Sequence, residues 1–249
     1  MEYGCENLTA VISGGTSGIG LATASLLLQD GAQVYLLGRS RTRGQQALEQ
    51  LEQATGRRAV YLPCDVTRAE ACRRAVSMVE GNVDILIHSA GVYLEERLEQ
   101  LSEASYTRLM DTNVKGALLL TQAALPKLYG GGSIVTIASD AGISGNYGCP
   151  LYCASKGALV SLTKALALDL APHIRVNCIC PADVQTPLLA RQLEACGQSY
   201  TVEEMAEEYP LLRIGRAEEI AHVICSVAAP ANSFMTGSII PVDGGLTAK

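Results

Sequence analysis

Leu8 to Gly20 reads L-T-A-V-I-S-G-G-T-S-G-I-G, an apolar run followed by four glycines in the eight residues from Ser13 to Gly20. The run predicts a short strand ending at Ser13, and the residues from Ile19 onward predict a helix. A helix that starts there aims unpaired N–H groups and the positive end of its dipole into the crevice beyond the strand, where a pyrophosphate can sit. A Cβ at Gly14, Gly18 or Gly20 would obstruct the tight turn, the approach of phosphates or the packing of helix on strand. An ordinary glycine-rich turn has the same composition. The position between the first strand and the first helix is what favours a dinucleotide.

Working outward, short β-branched runs alternate with helical patterns. Strands are expected at 8–13, 33–38, 59–64, 83–87, 133–138, 174–179 and 238–242, and helices at 19–30, 43–54, 68–80, 101–128, 152–170 and 217–227. Repeated β-α-β order with strands apolar on both faces implies an α/β fold, a doubly wound parallel sheet of about seven strands covered by helices on each side. No linker marks a second domain in residues 1–249. The Glu-rich stretch 187–213 reads as a lid-like insertion.

The chain has 249 residues, 48% of them hydrophobic and 18% charged, with a formal charge of −6. That balance offers no broad cationic field for a nucleic-acid backbone. Nine cysteines in no disulfide-framework pattern are expected to be reduced thiols, and no metal site is expected, because none of the three histidines lies near a cysteine pair in sequence. Without an apolar run of about 20 residues or a basic-then-apolar start, the expectation is a cytoplasmic protein with no membrane partner.

Downstream, S-D-A-G-I-S-G-N-Y-G-C-P-L-Y-C-A-S-K follows the strand G-S-I-V-T-I-A. Tyr152 and Lys156 stand four apart on a predicted helix and share a face. A nearby ammonium favours the phenolate, which makes Tyr152 a candidate acid/base. Ser139, at a strand end, is placed to hydrogen-bond a substrate oxygen. Spacing alone leaves open a plain helix-surface pair.

With the glycine loop, C-D-V at 64–66, H-S-A-G at 88–91, T-N-V-K-G around Asn113, V-N-C-I-C-P-A-D-V-Q-T at 176–186 and V-D-G-G at 242–245, the whole chain resembles the short-chain dehydrogenases/reductases of single-domain type. The resemblance implies hydride transfer between a nicotinamide cofactor and a carbonyl or secondary alcohol of a small molecule. Tyr152 would be the acid/base, Ser139 would orient the carbonyl, Lys156 would hold the nicotinamide ribose, and Asn113 would hold a helix kink and a proton-relaying water. The cofactor would lie along Gly14, Thr16, Ser17, Gly18, Ile19 and Gly20, then Arg39 and Ser40, Asp65 and Val66, and Ser89, Ala90 and Gly91. Its nicotinamide end would meet Pro181, Val184 and Thr186. Substrate contacts would come from Ser139, Tyr152, Tyr93, Asn146 and Asp183.

The family commonly has Asn-Asn-Ala-Gly where this chain has His88 to Gly91, and Pro-Gly where it has Pro181-Ala182. His88 is expected to be structural, and Asp183 to serve a turn. At the end of the second strand, Gly38 stands where the family's Asp commonly falls and Arg39 follows, which favours NADP over NAD. Alternatives are a 3-oxoacyl-[acyl-carrier-protein] reductase and a non-catalytic dinucleotide-sensing regulator. A homotetramer is expected by the same resemblance.

Overall fold

The computed structural model describes residues 2–128, 130–195 and 200–248. Seven parallel strands form one sheet: β1 (Thr9–Ser13), β2 (Gln33–Gly38), β3 (Val60–Pro63), β4 (Ile85–His88), β5 (Gly132–Ile137), β6 (Ile174–Pro181) and, after the two-residue strands β7 (Val184–Gln185) and β8 (Gly215–Arg216), β9 (Ile239–Val242). Their order is β3-β2-β1-β4-β5-β6-β9. The direction of winding reverses between β1 and β4, so the crevice beyond the carboxyl ends of these two strands is where such a sheet takes a ligand.

Successive residues of each strand face opposite layers. Ile12, Leu36, Ile87 and Val135 pack with residues of α1 (Gly18–Gln29), α2 (Arg41–Thr55) and α9 (Ala217–Ala228). Their neighbours Val11, Leu37, Leu86 and Ile134 pack instead with α3 (Ala69–Ser77), α5 (Gly116–Leu128) and α6 (Pro150–Leu170). This is why the strands read as continuous apolar runs rather than alternating ones. Each fully buried side chain such as Leu27, Leu28 or Leu86 contributes about 1.5–3 kcal/mol of transfer free energy.

Two departures from the expected elements bear on function. The pattern at 101–128 is not one helix: α4 (Glu103–Met110) runs into a π-helical turn at Asp111–Lys115 before α5 begins. Such turns mark sites where a side chain is re-aimed at the cost of regular pairing, and Asn113 sits in this one. The stretch 187–213 forms α7 (Pro187–Ala195) and α8 (Val202–Glu207), gathered on Leu189, Tyr209 and Ile214 with Leu193, Val202 and Met205 around them. Residues 196–199, Cys196 among them, lie outside the described residues. The eight described cysteines are free thiols. Among the described residues no helix is long and apolar enough to cross a membrane.

Candidate active site

The glycine turn lies against the segment after β4. A Cβ on Gly14, whose φ is +67°, would stand 2.7 Å from the backbone nitrogen of Ala90, and one on Gly20 would meet the Gly14 carbonyl oxygen at 2.5 Å. The absent side chains therefore hold the β1 and β4 carboxyl ends together at the point where the winding reverses. Thr16, Ser17, Gly18 and Ile19 complete the turn, and Ser17 precedes α1 without capping it through its side chain, which leaves the helix's first N–H groups to a ligand. Thr186 packs over this turn, its methyl 3.2 Å from where a Gly18 Cβ would lie.

Beyond β2, a Cβ on Gly38 would fall 3.2 Å from Thr16, so Gly38 closes one wall. Arg39 and Arg41 are exposed beside the N-terminus of α2, and neither makes an ion pair with a described residue. Ser40 is less free, because its hydroxyl caps α2 by accepting from Arg43 N at 3.3 Å. Asp65 uses Oδ1 to accept from the Thr67 amide and hydroxyl at 3.1 and 2.8 Å; Val66 is buried beside it.

Asn113 is buried, and its side chain reads the loop after β4: Oδ1 accepts from Val92 N at 2.8 Å, while Nδ2 donates to Val92 O at 3.0 Å and to Ser155 Oγ at 3.1 Å. These bonds account for the π turn, since they hold the α4–α5 backbone to both that loop and α6. Gly91 completes the cradle. A Cβ there would sit 3.5 Å from Asn113 Oδ1 and 3.8 Å from Lys156 Nζ, in space that glycine leaves for a bound group. Lys156 is itself buried, and its ammonium, which has three donors, donates to Ile137 O at 3.0 Å. Burial pushes its pKa down to about 8.

Tyr152 lies one turn before Lys156, whose Nζ is 5.6 Å from the phenol ring centroid. Tyr93 meets the same ring edge-on at 4.8 Å. The sequence spacing favours a phenolate, but the folded chain opposes it: burial, Asp140, Cys149 and Asp183 raise the Tyr152 pKa, while Ser139 lowers it. Ser139 donates to Asp140 Oδ1 at 2.6 Å and accepts from Ala141 N at 3.2 Å. Asn146 Nδ2 donates to the other oxygen of Asp140 at 3.1 Å.

Asp183 does more than serve a turn. Its Oδ2 accepts from the buried Tyr209 hydroxyl at 2.7 Å, and that oxygen in turn accepts from Asp183 N at 3.0 Å. Burial and the charge of Asp140 raise its pKa. Glu95 accepts from both Tyr93 and Tyr200 at 3.2 Å, joining the loop after β4 to the 187–213 stretch. Pro181 ends β6 in the core, and Val184 is buried where β7 pairs with β8. His88 is buried with Nε2 2.8 Å from Thr121 Oγ1, and burial pushes its pKa down to about 4, so it is a neutral structural group.

Ser139, Tyr152 and Lys156 thus stand together beside Gly91, and the glycine turn meets the loop that follows β4. This is the layout of a dinucleotide-dependent oxidoreductase, and the chain belongs to the short-chain dehydrogenase/reductase family, whose members use nicotinamide cofactors. A family model described as enoyl-(acyl carrier protein) reductase matches residues 14–247. An uncharacterized oxidoreductase of Thermotoga maritima is 36% identical over 248 residues, 98% of each chain. Among solved structures, a glucose/ribitol dehydrogenase of this family from Brucella melitensis is 35% identical with a TM-score of 0.89 over 99% of both chains. The L-sorbose reductase of Gluconobacter frateurii, solved with NADPH and L-sorbose, is 28% identical with a TM-score of 0.94 over the full length of both.

Sequence reasoning did not single out Tyr209, which lies 26 residues from Asp183, or the hold of Asp140 on Ser139. For the latter the only local signal is a carboxylate directly after the serine.

Proposed function

We propose that the protein is an NADP-preferring oxidoreductase that interconverts the carbonyl and secondary alcohol of a small polar molecule. The convergence of Ser139, Tyr152 and Lys156 beside the space that Gly91 leaves open carries this reading. When bound, the nicotinamide supplies or takes up the hydride. The chain does the rest. Lys156 turns its remaining N–H donors toward the ribose, Tyr152 gives a proton to the carbonyl oxygen in reduction, and Ser139 fixes that oxygen's position. Asn113 keeps the kinked helix and the 91–92 loop in register with Lys156. Val184, Thr186 and Pro181 border the nicotinamide end, and the glycine turn with Ser89 and Ala90 borders the phosphates.

The preference for NADP rests on Arg39. It stands exposed beside a helix N-terminus and paired with no acid among the described residues, where Gly38 puts no carboxylate, and its planar fork matches a phosphate. A small polar substrate is favoured because Asp140, Asn146, Asp183 and Tyr93 put hydrogen-bonding groups around Tyr152. The description of the matching family model favours acyl-carrier chemistry, but the 187–213 stretch would present Glu194, Glu203 and Glu207, all exposed, to an acidic carrier.

A homotetramer is proposed with it. Leu118 on α5, Leu168 on α6 and Phe234 before β9 are exposed, apolar surface suited to a partner subunit. The test is a panel of keto-sugars, diketones, cyclic ketones and a 3-oxoacyl thioester, followed by nicotinamide absorbance with NADPH and NADH. Turnover of a small ketone with NADPH is expected. Turnover confined to the thioester would replace this reading, and tight cofactor binding with no turnover across the panel would favour a dinucleotide sensor.

A further inference from the structure

Two cysteines flank Tyr152 at the start of α6. Cys149 is the N-cap residue of that helix and Cys153 follows four residues later, and their sulfurs stand 3.9 Å apart. Asn146 holds both: its amide donates to Cys153 Sγ at 3.4 Å, and the Cys149 thiol donates to its carbonyl oxygen at 3.7 Å. The Asn146 side chain in turn braces Asp140, the neighbour of Ser139, at 3.1 Å. Tyr93, which packs edge-on against Tyr152, reaches the Cys149 sulfur with its hydroxyl. The thiol pair is built into the surroundings of Tyr152.

The two thiols are unequal. Cys149 is buried, and burial pushes its thiol up to about 12, whereas Cys153 is half-buried and open to a small oxidant. Cys178 and Cys180 are also 3.9 Å apart, but both are completely buried in β6 and serve as an internal control.

We propose that Cys149 and Cys153 are a reversible oxidation site through which hydrogen peroxide lowers turnover at Tyr152. The Cys153 sulfur attacks one peroxide oxygen, so that the O–O bond breaks, a sulfenic acid forms and the other oxygen leaves as water with the thiol proton. The Cys149 sulfur then displaces the sulfenic hydroxyl: the S–S bond forms, the S–O bond breaks, and the Cys149 proton leaves in a second water. The two thiols lose two electrons together, and the peroxide takes them up.

Closing the bond draws the sulfurs from 3.9 Å to about 2.05 Å. Residues one turn apart on a helix keep their Cβ atoms about 5–6 Å apart, wider than the roughly 3.5–4.5 Å of an unstrained disulfide, so part of the turn must move. Cys149 can supply that movement, because it is non-helical, with φ −139° and ψ 49°, and follows Gly148, whose φ is +71°. Strain makes such a bond readily reducible, which suits a switch rather than a staple. The displacement falls on Tyr152, between the two cysteines in the chain, and on the Asn146 contact with Asp140. The glycine turn and Arg39 lie outside α6, so cofactor affinity should change little. The effect on turnover rests on the reading of Tyr152 given above; formation of the bond does not.

For the test, the full chain is reduced, treated with hydrogen peroxide, blocked with an alkylating reagent and cleaved with trypsin. The tryptic peptide 128–156 contains these two cysteines and no other. It should carry no alkyl group and two hydrogens fewer than the reduced peptide, and dithiothreitol should restore both thiols. Turnover of the panel's best ketone should fall by about ten- to a hundredfold, since a misplacement of about 1 Å costs as much, and should return with dithiothreitol at nearly constant NADPH affinity. Cys153→Ser should keep its turnover in peroxide. A peptide that stays fully alkylated, a disulfide that joins other cysteines instead, or turnover undiminished with the bond formed would overturn the proposal, as would a Cys153→Ser variant as sensitive as the unsubstituted chain. The peptide is read on the unsubstituted chain, which keeps the proposal testable if the variant does not fold. If no ketone is turned over, the catalytic reading fails separately, and the peptide still decides whether the pair is an oxidation site.

Discussion

Replacing Gly14 with alanine perturbs the point where the glycine turn meets the loop after β4. The backbone there has φ +67°, a left-handed conformation that costs an L-residue with a Cβ about 1–2 kcal/mol. The new methyl would also stand 2.7–2.8 Å from the backbone of Ser89 and Ala90, atoms that move only if a loop moves. Forcing extra volume into such a contact costs about 1–3 kcal/mol. Together the loss is about 2–5 kcal/mol, and for a chain of this length each kcal/mol lowers Tm by about 2–4 °C. Gly56→Ala is the matched control. Its φ is +68° but nothing lies within 4 Å of the added Cβ, so it carries the conformational cost of about 1–2 kcal/mol alone. Thermal unfolding of both variants, with NADPH titrated by calorimetry, separates the two contributions. Gly14→Ala should be the less stable and should bind NADPH at least about tenfold more weakly, a loss of 1.4 kcal/mol, while Gly56→Ala binds it normally. If Gly14→Ala matches Gly56→Ala in stability and retains its NADPH affinity, the turn is not the cofactor cradle described.

Arg39→Ala should weaken NADPH by about 1.5–3 kcal/mol, the value of a hydrogen bond to a charged group, and leave NADH nearly unchanged; equal weakening of both would remove the 2′-phosphate contact. Lys156→Ala should impair both cofactor binding and turnover, as titration and kinetics on the same sample would reveal. His88 stays neutral in the folded chain down to about pH 4, whereas the unfolded chain takes up its proton near 6.5. Its contribution is therefore complete above pH 6.5 and is lost as pH falls toward 4, up to about 3 kcal/mol. Denaturant melts across that window should show a shallower pH dependence for His88→Asn. Light scattering at micromolar concentration should give a tetramer's mass, and a monomer's mass would refute the exposed-face argument.

Most of the fold could be read from the chain because its signals are local. β2 begins at Gln33 and ends at Gly38 as the apolar run does, and α1 starts within one residue of the expected position because the glycines leave it nowhere else to begin. The break in 101–128 is invisible to periodicity and follows only from the resemblance, in which Asn113 holds a kink, since its side chain bonds to Val92 and Ser155, 21 and 42 residues away. Periodicity is equally blind to the Asp183–Tyr209 pair and to Glu95, which meets Tyr200 across 105 residues. The influences on the Tyr152 proton are likewise only partly legible in spacing. A Tyr and a Lys four apart report one neighbour, whereas burial, Asp140, Cys149 and Asp183 arrive from elsewhere in the chain.

In the proposed reaction Tyr152 passes the proton that accompanies hydride transfer. Steady-state turnover of Tyr152→Phe, measured beside its NADPH affinity with the best ketone of the panel, tests it most directly. The phenyl ring keeps the edge-on contact with Tyr93 but has no proton to give. Turnover should fall by at least about a hundredfold, the lower range for acid/base catalysis, with NADPH affinity unchanged. Turnover close to that of the unsubstituted protein, at unchanged cofactor affinity, would contradict it.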